Sequence, residues 1–287
     1  MNYVFHRGEY IAANQATITP DNRGFRFGDG FFETMRGMHG KVLFLSNHYK
    51  RITDTAAALK MQLPEQFSEA QLRHQIQGLL QRNQHMTGAR IRITFFRKSA
   101  GFYRPDQDDM AYMIESQLLP DEAFTLNEKG KIIDIYQDFK KDLNKLSQFK
   151  TLNSQLYIMA ALHARDKGWD DALIQNAKFS IIEACASNLF IVSNGVLYTP
   201  TLDDGPIAGT MRMNIINLAI DNKIKVYECT INPHNMLSAD EVFMTNAVRG
   251  VEWVVGYRTK RYYNDMARKM TTLLNELALQ DIEQHSA

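Results

Sequence analysis

Apolar positions along this chain switch between a period of two and a period near 3.6, and the switches mark out the elements. Alternation over 3–11, broken at Gly8, predicts a short hairpin. The run from Asp21 to Gly30 carries three glycines and predicts a loop that feeds a strand over 31–36. A turn over 37–40 leads to Val42-Leu43-Phe44-Leu45. Ser46 then reads as the N-cap of a helix over 47–61, with Tyr49, Ile52, Ala56 and Leu59 on one face. A second helix is predicted over 68–84, with Leu72, Ile76, Leu79 and Leu80 inward. Strands over 89–96 and 109–116 enclose a basic, aromatic loop from Arg97 to Pro105.

The second half repeats this mixture. A strand over 131–136 precedes a polar run, after which Leu152, Leu156, Met159 and Ala160 fall on one helical face. That helix is predicted to open at Lys150 and to stop at Gly168. Strands follow over 171–175, 179–185, 188–192 and 196–198, then a helix ending near 220. Strands over 224–230, 241–247 and 251–255 come next. A closing helix over 262–279 places Met266, Met270, Leu273 and Leu277 inward. The order predicts an α+β protein with an N-terminal domain over 1–120, a linker over 121–130 and a second domain over 131–287.

Composition narrows the function classes. The chain has 287 residues, 45% of them hydrophobic, enough for a large core or two moderate ones. Lys+Arg (33) and Asp+Glu (32) balance, so no global attraction to nucleic acid or an anionic membrane is expected, and any anion site must be local. The two cysteines, Cys185 and Cys229, form no disulfide or metal framework and suit a reducing, cytoplasmic setting. No run approaches the roughly 20 apolar residues of a membrane span.

Within that frame a few polar residues suggest chemistry. A lysine held where a packed helix begins is partly desolvated, and its amine can then be neutral and condense with a carbonyl; Lys150 fits, although a solvated lysine is equally compatible with its spacing. Arg51, one residue off the apolar stripe, either solvates the helix flank or offers its fork to a phosphate. Arg97, with Tyr103 and Arg104 behind it, either holds a substrate carboxylate or sits in a solvated hairpin. Gly209, Thr210 and Met211 open a helix, where free N–H groups and the dipole suit an anion. Asn246 and Ala247 end a strand in a polar tip. Gly28-Asp29-Gly30 is followed by a strand, so it lacks phosphate-loop geometry.

Taken in order, Gly-Asp-Gly before Phe32-Glu33-Thr34, Arg51, Lys150-Thr-Leu-Asn, Glu183 before Ser187-Asn-Leu-Phe, Gly209-Thr-Met-Arg and Thr245-Asn-Ala resemble the class IV aminotransferases, the fold-type IV enzymes of pyridoxal 5′-phosphate. Branched-chain and D-amino-acid aminotransferases and aminodeoxychorismate lyases belong to that family. The resemblance runs from about Arg23 to Val255 and implies a small N-terminal α/β-sandwich-like domain, a larger β-barrel-like domain with flanking helices, and a homodimer. It implies that Lys150 carries the cofactor as a Schiff base and moves the substrate proton. Glu183 then faces the pyridine nitrogen, while Arg51, Gly209, Thr210, Met211, Asn246 and Ala247 hold the phosphate. Phe32 and Arg97 are the substrate-binding candidates. Met211 and Ala247 stand where many of these aminotransferases have threonine, a pairing that looks more like the lyase branch.

Overall fold

The computed structural model describes residues 2–284. The chain divides into two compact units. One comprises 1–123, 149–153 and 278–287; the other comprises 124–148 and 154–277. The sequence reading ran the second domain without a break from 131 to the end. Instead the short stretch around Lys150 and the last part of the final helix belong to the first unit.

The first unit is built on an antiparallel sheet. Its strands are β1 (Tyr3–His6), β2 (Glu9–Ala12), β3 (Gly30–Met38), β4 (Lys41–Val42), β5 (Ala89–Arg97) and β6 (Met110–Leu118), in the order β2-β1-β6-β5-β3-β4. Its helices are α1 (Arg23–Phe27), α2 (Leu45–Ala58) and α3 (Glu69–Asn83). Burial along β5 alternates residue by residue, so one face supplies Ile91, Ile93 and Phe95 to the core. Phe31 and Met35 of β3 join them, together with Ile52 and Ala56 of α2 and Leu72, Ile76 and Leu79 of α3. The Phe31 and Phe95 rings stack at 4.5 Å.

Three details depart from the sequence reading. The 21–30 loop contains the short helix α1, capped by the Asn22 side chain and closed by Gly28 in the left-handed region. The N-cap of α2 is Phe44, at φ 54°, whose N–H donates to the Asp281 carboxylate at 2.9 Å. Ser46 lies inside α2, and its hydroxyl donates to Glu69. Lys150 does not open a helix. Thr151 pairs antiparallel with Phe31, the Phe32 N–H donates to the Lys150 carbonyl at 3.0 Å, and the Leu152 N–H donates to the Gly30 carbonyl at 3.0 Å. The backbone of 150–152 thus forms an extra strip on the edge of β3.

The second unit contains a closed barrel. Its strands are β7 (Lys131–Ile135), β8 (Asp171–Gln175), β9 (Ile181–Ala184), β10 (Asn188–Ser193), β11 (Val196–Pro200), β12 (Val226–Cys229), β13 (Glu241–Asn246), β14 (Gly250–Tyr257) and β15 (Lys260–Arg261). The order is β12-β11-β10-β13-β14-β7-β8-β9, and pairing of β9 with β10 closes the ring. β7 and β8 run parallel, joined by the crossover helix α4 (Gln155–Lys167), which ends at Gly168 in the left-handed region. α5 (Thr210–Asp221) and α6 (Pro233–Ser238) follow; α6, with its Asn232 capping box, was absent from the sequence reading. The last helix, α7 (Asp265–Gln284), buries Ala267, Met270, Leu274 and Ala278, a face shifted by a residue from the one expected. No helix among the described residues is long and apolar enough to cross a membrane.

Gly30 is where the Lys150 strip depends on an absent side chain. A Cβ there would overlap the Phe95 carbonyl oxygen and press on Leu152 Cδ1 at 2.9 Å. Gly30→Ala is expected to destabilise the protein by about 1–3 kcal/mol through overpacking, read as a lower urea midpoint at unchanged slope. An unchanged midpoint would show that the strip can move aside freely.

Candidate functional site

Alternation along β3 gives successive residues opposite duties. Phe31 faces the core, Phe32 the other side of the sheet, and Glu33 the core side again. Phe32 is paired with Thr94 across the β3–β5 ladder, and Thr34 with Arg92. These four side chains therefore share the face opposite the core. The Lys150 amine lies 4.5 Å from the centre of the Phe32 ring, and the Arg92 guanidinium lies 3.8 Å from it. Among the described residues, the Arg92 side chain bonds only to the Thr94 hydroxyl, through Nε at 3.3 Å. Burial lowers the Arg92 pKa, with Glu115 opposing and Arg90 assisting. A desolvated cation within one ring of an amine is a natural meeting point for a carboxylate.

Arg97 has other work. Its Nε donates to Asp29 at 3.1 Å, its Nη1 to Asp108 at 2.6 Å and to the Lys60 carbonyl at 2.9 Å, and its Nη2 to the Leu59 carbonyl at 2.8 Å. It is buried and committed to holding α2 and the 98–109 loop. The sequence showed its charge but not these partners. Tyr103 and Phe102 are highly exposed, while the carbonyls of 100–103 accept from the buried Arg23 guanidinium.

Glu33, on the core side, grips α2. Its two oxygens accept from Arg51 Nε and Nη2, both at 2.7 Å, and Oε2 also meets His48 Nδ1 at 2.8 Å. Burial alone would raise the Glu33 pKa, but the Arg51 charge and the bonds from His48 and Arg51 outweigh it and hold the carboxyl down at about 2. Burial lowers the His48 pKa more than Glu33 raises it, so the imidazole is neutral at pH 7. Arg51 is thus neither a solvated flank residue nor a loose fork: two of its nitrogens are fixed on a buried carboxylate.

In the second unit the strand register assembles a row of polar residues. Glu183 of β9 pairs with Asn188 of β10, and Asn188 pairs with Thr245 of β13. All three are buried. Glu183 Oε1 accepts from the Lys141 ammonium and the Tyr157 hydroxyl, both at 2.7 Å. Its Oε2 accepts from the Ile207 N–H at 2.8 Å. Burial, then the Glu183 charge, pushes the Tyr157 pKa far above the ordinary range, so the hydroxyl stays a donor. The Asn188 amide donates to the Ile207 carbonyl at 2.8 Å, so one residue in the turn before α5 is held through both its N–H and its C=O. The Ala208 N–H donates to the Gln148 carbonyl at 3.0 Å.

That turn can hold an anion. Gly209 is the N-cap of α5 and places no side-chain oxygen on the first turn. A Cβ at Gly209 would overlap Asn188 Oδ1, so only glycine permits this close approach. Thr245 Oγ1 is buried without a partner among the described residues, on the same sheet face as Asn188. Met211 packs into the core and Thr210 is buried. The Asn246 amide is already used: Nδ2 donates to Ser187 at 2.9 Å and Oδ1 accepts from the N–H groups of Val248 and Arg249. It builds the turn that contains Ala247.

A helix-start anion cradle beside a buried carboxylate, and a lysine on a sheet face beside an aromatic ring, make a definite pattern, and the family described as amino-transferase class IV matches residues 30–255. The chain belongs to the class IV aminotransferase family. It is 25% identical over 284 residues to a putative branched-chain-amino-acid aminotransferase of Methanocaldococcus jannaschii, covering 95% of this chain and 94% of that protein. It is 24% identical to a D-alanine aminotransferase of Bacillus licheniformis, covering 86% of each, and 26% identical to an aminodeoxychorismate lyase of Bacillus subtilis, covering 85% and 83%. Among solved structures it superposes on a branched-chain aminotransferase of Thermoproteus uzoniensis crystallised with norvaline, with a TM-score of 0.89, 21% identity and coverage of 99% and 97%. It also superposes on a Brucella abortus aminotransferase bound to its cofactor PLP, with a TM-score of 0.85, 21% identity and coverage of 96% and 99%. The two-domain fold-type IV architecture expected from the sequence is therefore the fold of this chain, and the chain is an enzyme of the aminotransferase and aminodeoxychorismate lyase group. Within this class IV fold, Lys141, Tyr157, Arg92 and Thr245 are residues that sequence reading missed. The strand expected over 89–96 carried the one hint, since its alternation puts Arg90, Arg92 and Thr94 on one side.

The Glu33 network carries a pH dependence with a definite sign. The folded carboxyl titrates near 2, below its ordinary value of 4.5, so its stabilisation is fully present above about pH 4.5 and is lost as pH falls toward 2. Glu33→Gln is expected to destabilise the protein by about 3–5 kcal/mol at pH 7, because Arg51 loses its buried partner. It should also lose less stability than the parent on acidification. Urea unfolding at pH 7 and pH 3.5 checks both.

Proposed function

We propose that this protein is a pyridoxal 5′-phosphate-dependent aminotransferase that moves an amino group between an amino acid of the branched-chain or D-amino-acid type and a 2-oxo acid. When bound, the cofactor supplies an aldehyde that condenses with amines and a ring that takes up the electrons left when the substrate's α-carbon loses its proton. The observation that carries this reading is the Lys150 amine against the Phe32 ring with Arg92 at the same ring. Lys150 would hold the cofactor through its amine, and the same amine would be the base that takes the substrate's α-proton and returns it. Phe32 gives that amine one fixed neighbour, its ring centre 4.5 Å away. Arg92, in place of Arg97, meets the substrate carboxylate. The first turn of α5, with Gly209 as its cap and Thr210 and Met211 following, holds the phosphate through main-chain N–H groups. Thr245 adds a hydroxyl where this chain, with Met211 and Ala247, lacks the threonines that many of these aminotransferases carry, and Arg51 contributes positive charge from α2. Glu183 holds the proton on the pyridine nitrogen. A homodimer in the cytoplasm fits this reading, supported by the balanced charge and the two unpaired thiols.

The lyase reading is the alternative, because Met211 is a buried packing residue here and no hydroxyl stands at 247. It uses the same cofactor grip but releases pyruvate from aminodeoxychorismate and leaves 4-aminobenzoate. A panel of L- and D-amino acids with a 2-oxo acid acceptor, run beside an assay on aminodeoxychorismate alone, separates the two. Amino transfer that requires the acceptor supports the first reading, and pyruvate formed without an acceptor supports the second.

Lys150→Ala is expected to abolish turnover and covalent attachment. After borohydride reduction the parent chain retains pyridoxal phosphate through denaturation, and the variant does not. Retention by the variant would transfer the role to another lysine. Arg92→Gln should raise the KM for the 2-oxo acid by about 10- to 100-fold, the equivalent of the 1.5–3 kcal/mol of a charge-assisted hydrogen bond, with the thermal midpoint unchanged. An unaltered KM would remove Arg92 from substrate binding.

A further inference from the structure

The ammonium of Lys141 is not loosely placed. Its backbone is pinned to the end of β8: the Lys141 N–H donates to the Gln175 carbonyl at 2.8 Å, and Lys141 bridges in parallel to Asn176. Asn176 is itself buried and donates to the Asp204 carbonyl at 3.0 Å. The lysine side chain is 13% exposed and ends 2.7 Å from Glu183 Oε1, which is 3% exposed. The preceding lysine, Lys140, turns elsewhere and donates to Gln175 Oε1.

Among the described residues, two titratable side chains donate to Glu183. The titratable groups that face it are Lys141 from the connection before α4 and Tyr157 from α4, with Cys185 of the β9–β10 turn beside Tyr157. Burial, then the Asp171 charge, pushes the Cys185 thiol up to about 12. Tyr157 and Cys185 are therefore neutral at pH 7, and Lys141 supplies the charge opposite the carboxylate. Oε1 has two donors and Oε2 has one, so the open acceptor direction of this carboxylate lies on Oε2.

We propose that Lys141 is a positioning residue that sets the basicity of Glu183, and through it how firmly the enzyme keeps a pyridine nitrogen protonated. This rests on the reading of Glu183 given above. A carboxylate with its own ammonium is a weaker proton acceptor than one without, and the same ammonium repels a protonated ring. The lysine thus moderates the electron-withdrawing state of the cofactor, while Tyr157 and the Ile207 N–H fix the direction in which the carboxylate accepts.

The test uses the pyridoxal phosphate-loaded protein with the cofactor's ring nitrogen labelled with ¹⁵N, and follows that nitrogen's chemical shift against pH. In Lys141→Met and Lys141→Gln the ring proton should be retained to a pH about one unit or more above the parent, the direction expected when a nearby like charge is deleted and the carboxylate partner becomes more basic. Lys141→Arg should track the parent. In the cofactor-free protein with ¹³C-labelled glutamate carboxyls, the Glu183 resonance, identified by its loss in Glu183→Gln, should titrate higher in Lys141→Met by a similar amount. A packing role alone would move neither titration. Coincident curves for the parent and both neutral variants overturn the role of Lys141. A ring nitrogen whose protonation is the same in Glu183→Gln as in the parent overturns the underlying assignment of Glu183 instead. The two failures are therefore distinguishable.

Discussion

The second unit depends on a buried carboxylate placed where its barrel closes. Removing Glu183 from water costs several kcal/mol, and that cost is offset only because three donors converge on it. Those donors come from separate stretches: the connection before α4, α4 itself and the turn before α5. Each is held in place partly by its bond to the same side chain. Because Glu183 also pairs with Asn188, and Asn188 grips the Ile207 carbonyl, strand closure and the shape of the anion cradle are set together. The barrel is thereby coupled to its own chemistry.

The first unit solves a similar problem on the two sides of one strand. Glu33 points into the core and locks α2 through Arg51 and His48, while its neighbour Phe32 points the other way and meets Lys150. The strand must be rigid for either duty to succeed. Its full pairing with β5, from Gly30 to Gly37, supplies that rigidity, and the close approach at Gly30 lets the 150–152 strip lie flat against it.

Much of this was legible in the residues. Long periodic elements such as α3, with its Ser68 cap, and β5, with its strict alternation, announce themselves because burial follows a single period over many residues. The ordered polar motifs pointed to the family. What stayed hidden were features set by distant partners. Phe44 caps α2 because Asp281, far along the chain, takes its N–H. Leu152 has helical spacing with Leu156 and Met159, but the backbone there is already committed to β3. Arg97 carries the right charge for a carboxylate, yet its nitrogens hold carbonyls and aspartates. Arg92, Lys141 and Thr245 emerge only once the strand register is known, since register decides which side chains share a face. The five-residue α1 and the six-residue α6 are too short for periodicity, although the Asn232-Pro233 pair did carry a start signal.

Mounting Lys150 on a ladder instead of a helix limits how its surroundings can change. Side chains on an extended strip point to opposite sides in turn, so inserting one residue between 150 and the Thr151–Phe31 pair would aim the amine the other way. The exposed 142–146 segment just upstream forms a local turn closed on Ser147 and is in no ladder, so a change of length there does not alternate the side on which a side chain falls. Tolerance for indels should therefore drop abruptly over a handful of positions, from a permissive tether to a stretch where the spacing admits only whole pairs of residues.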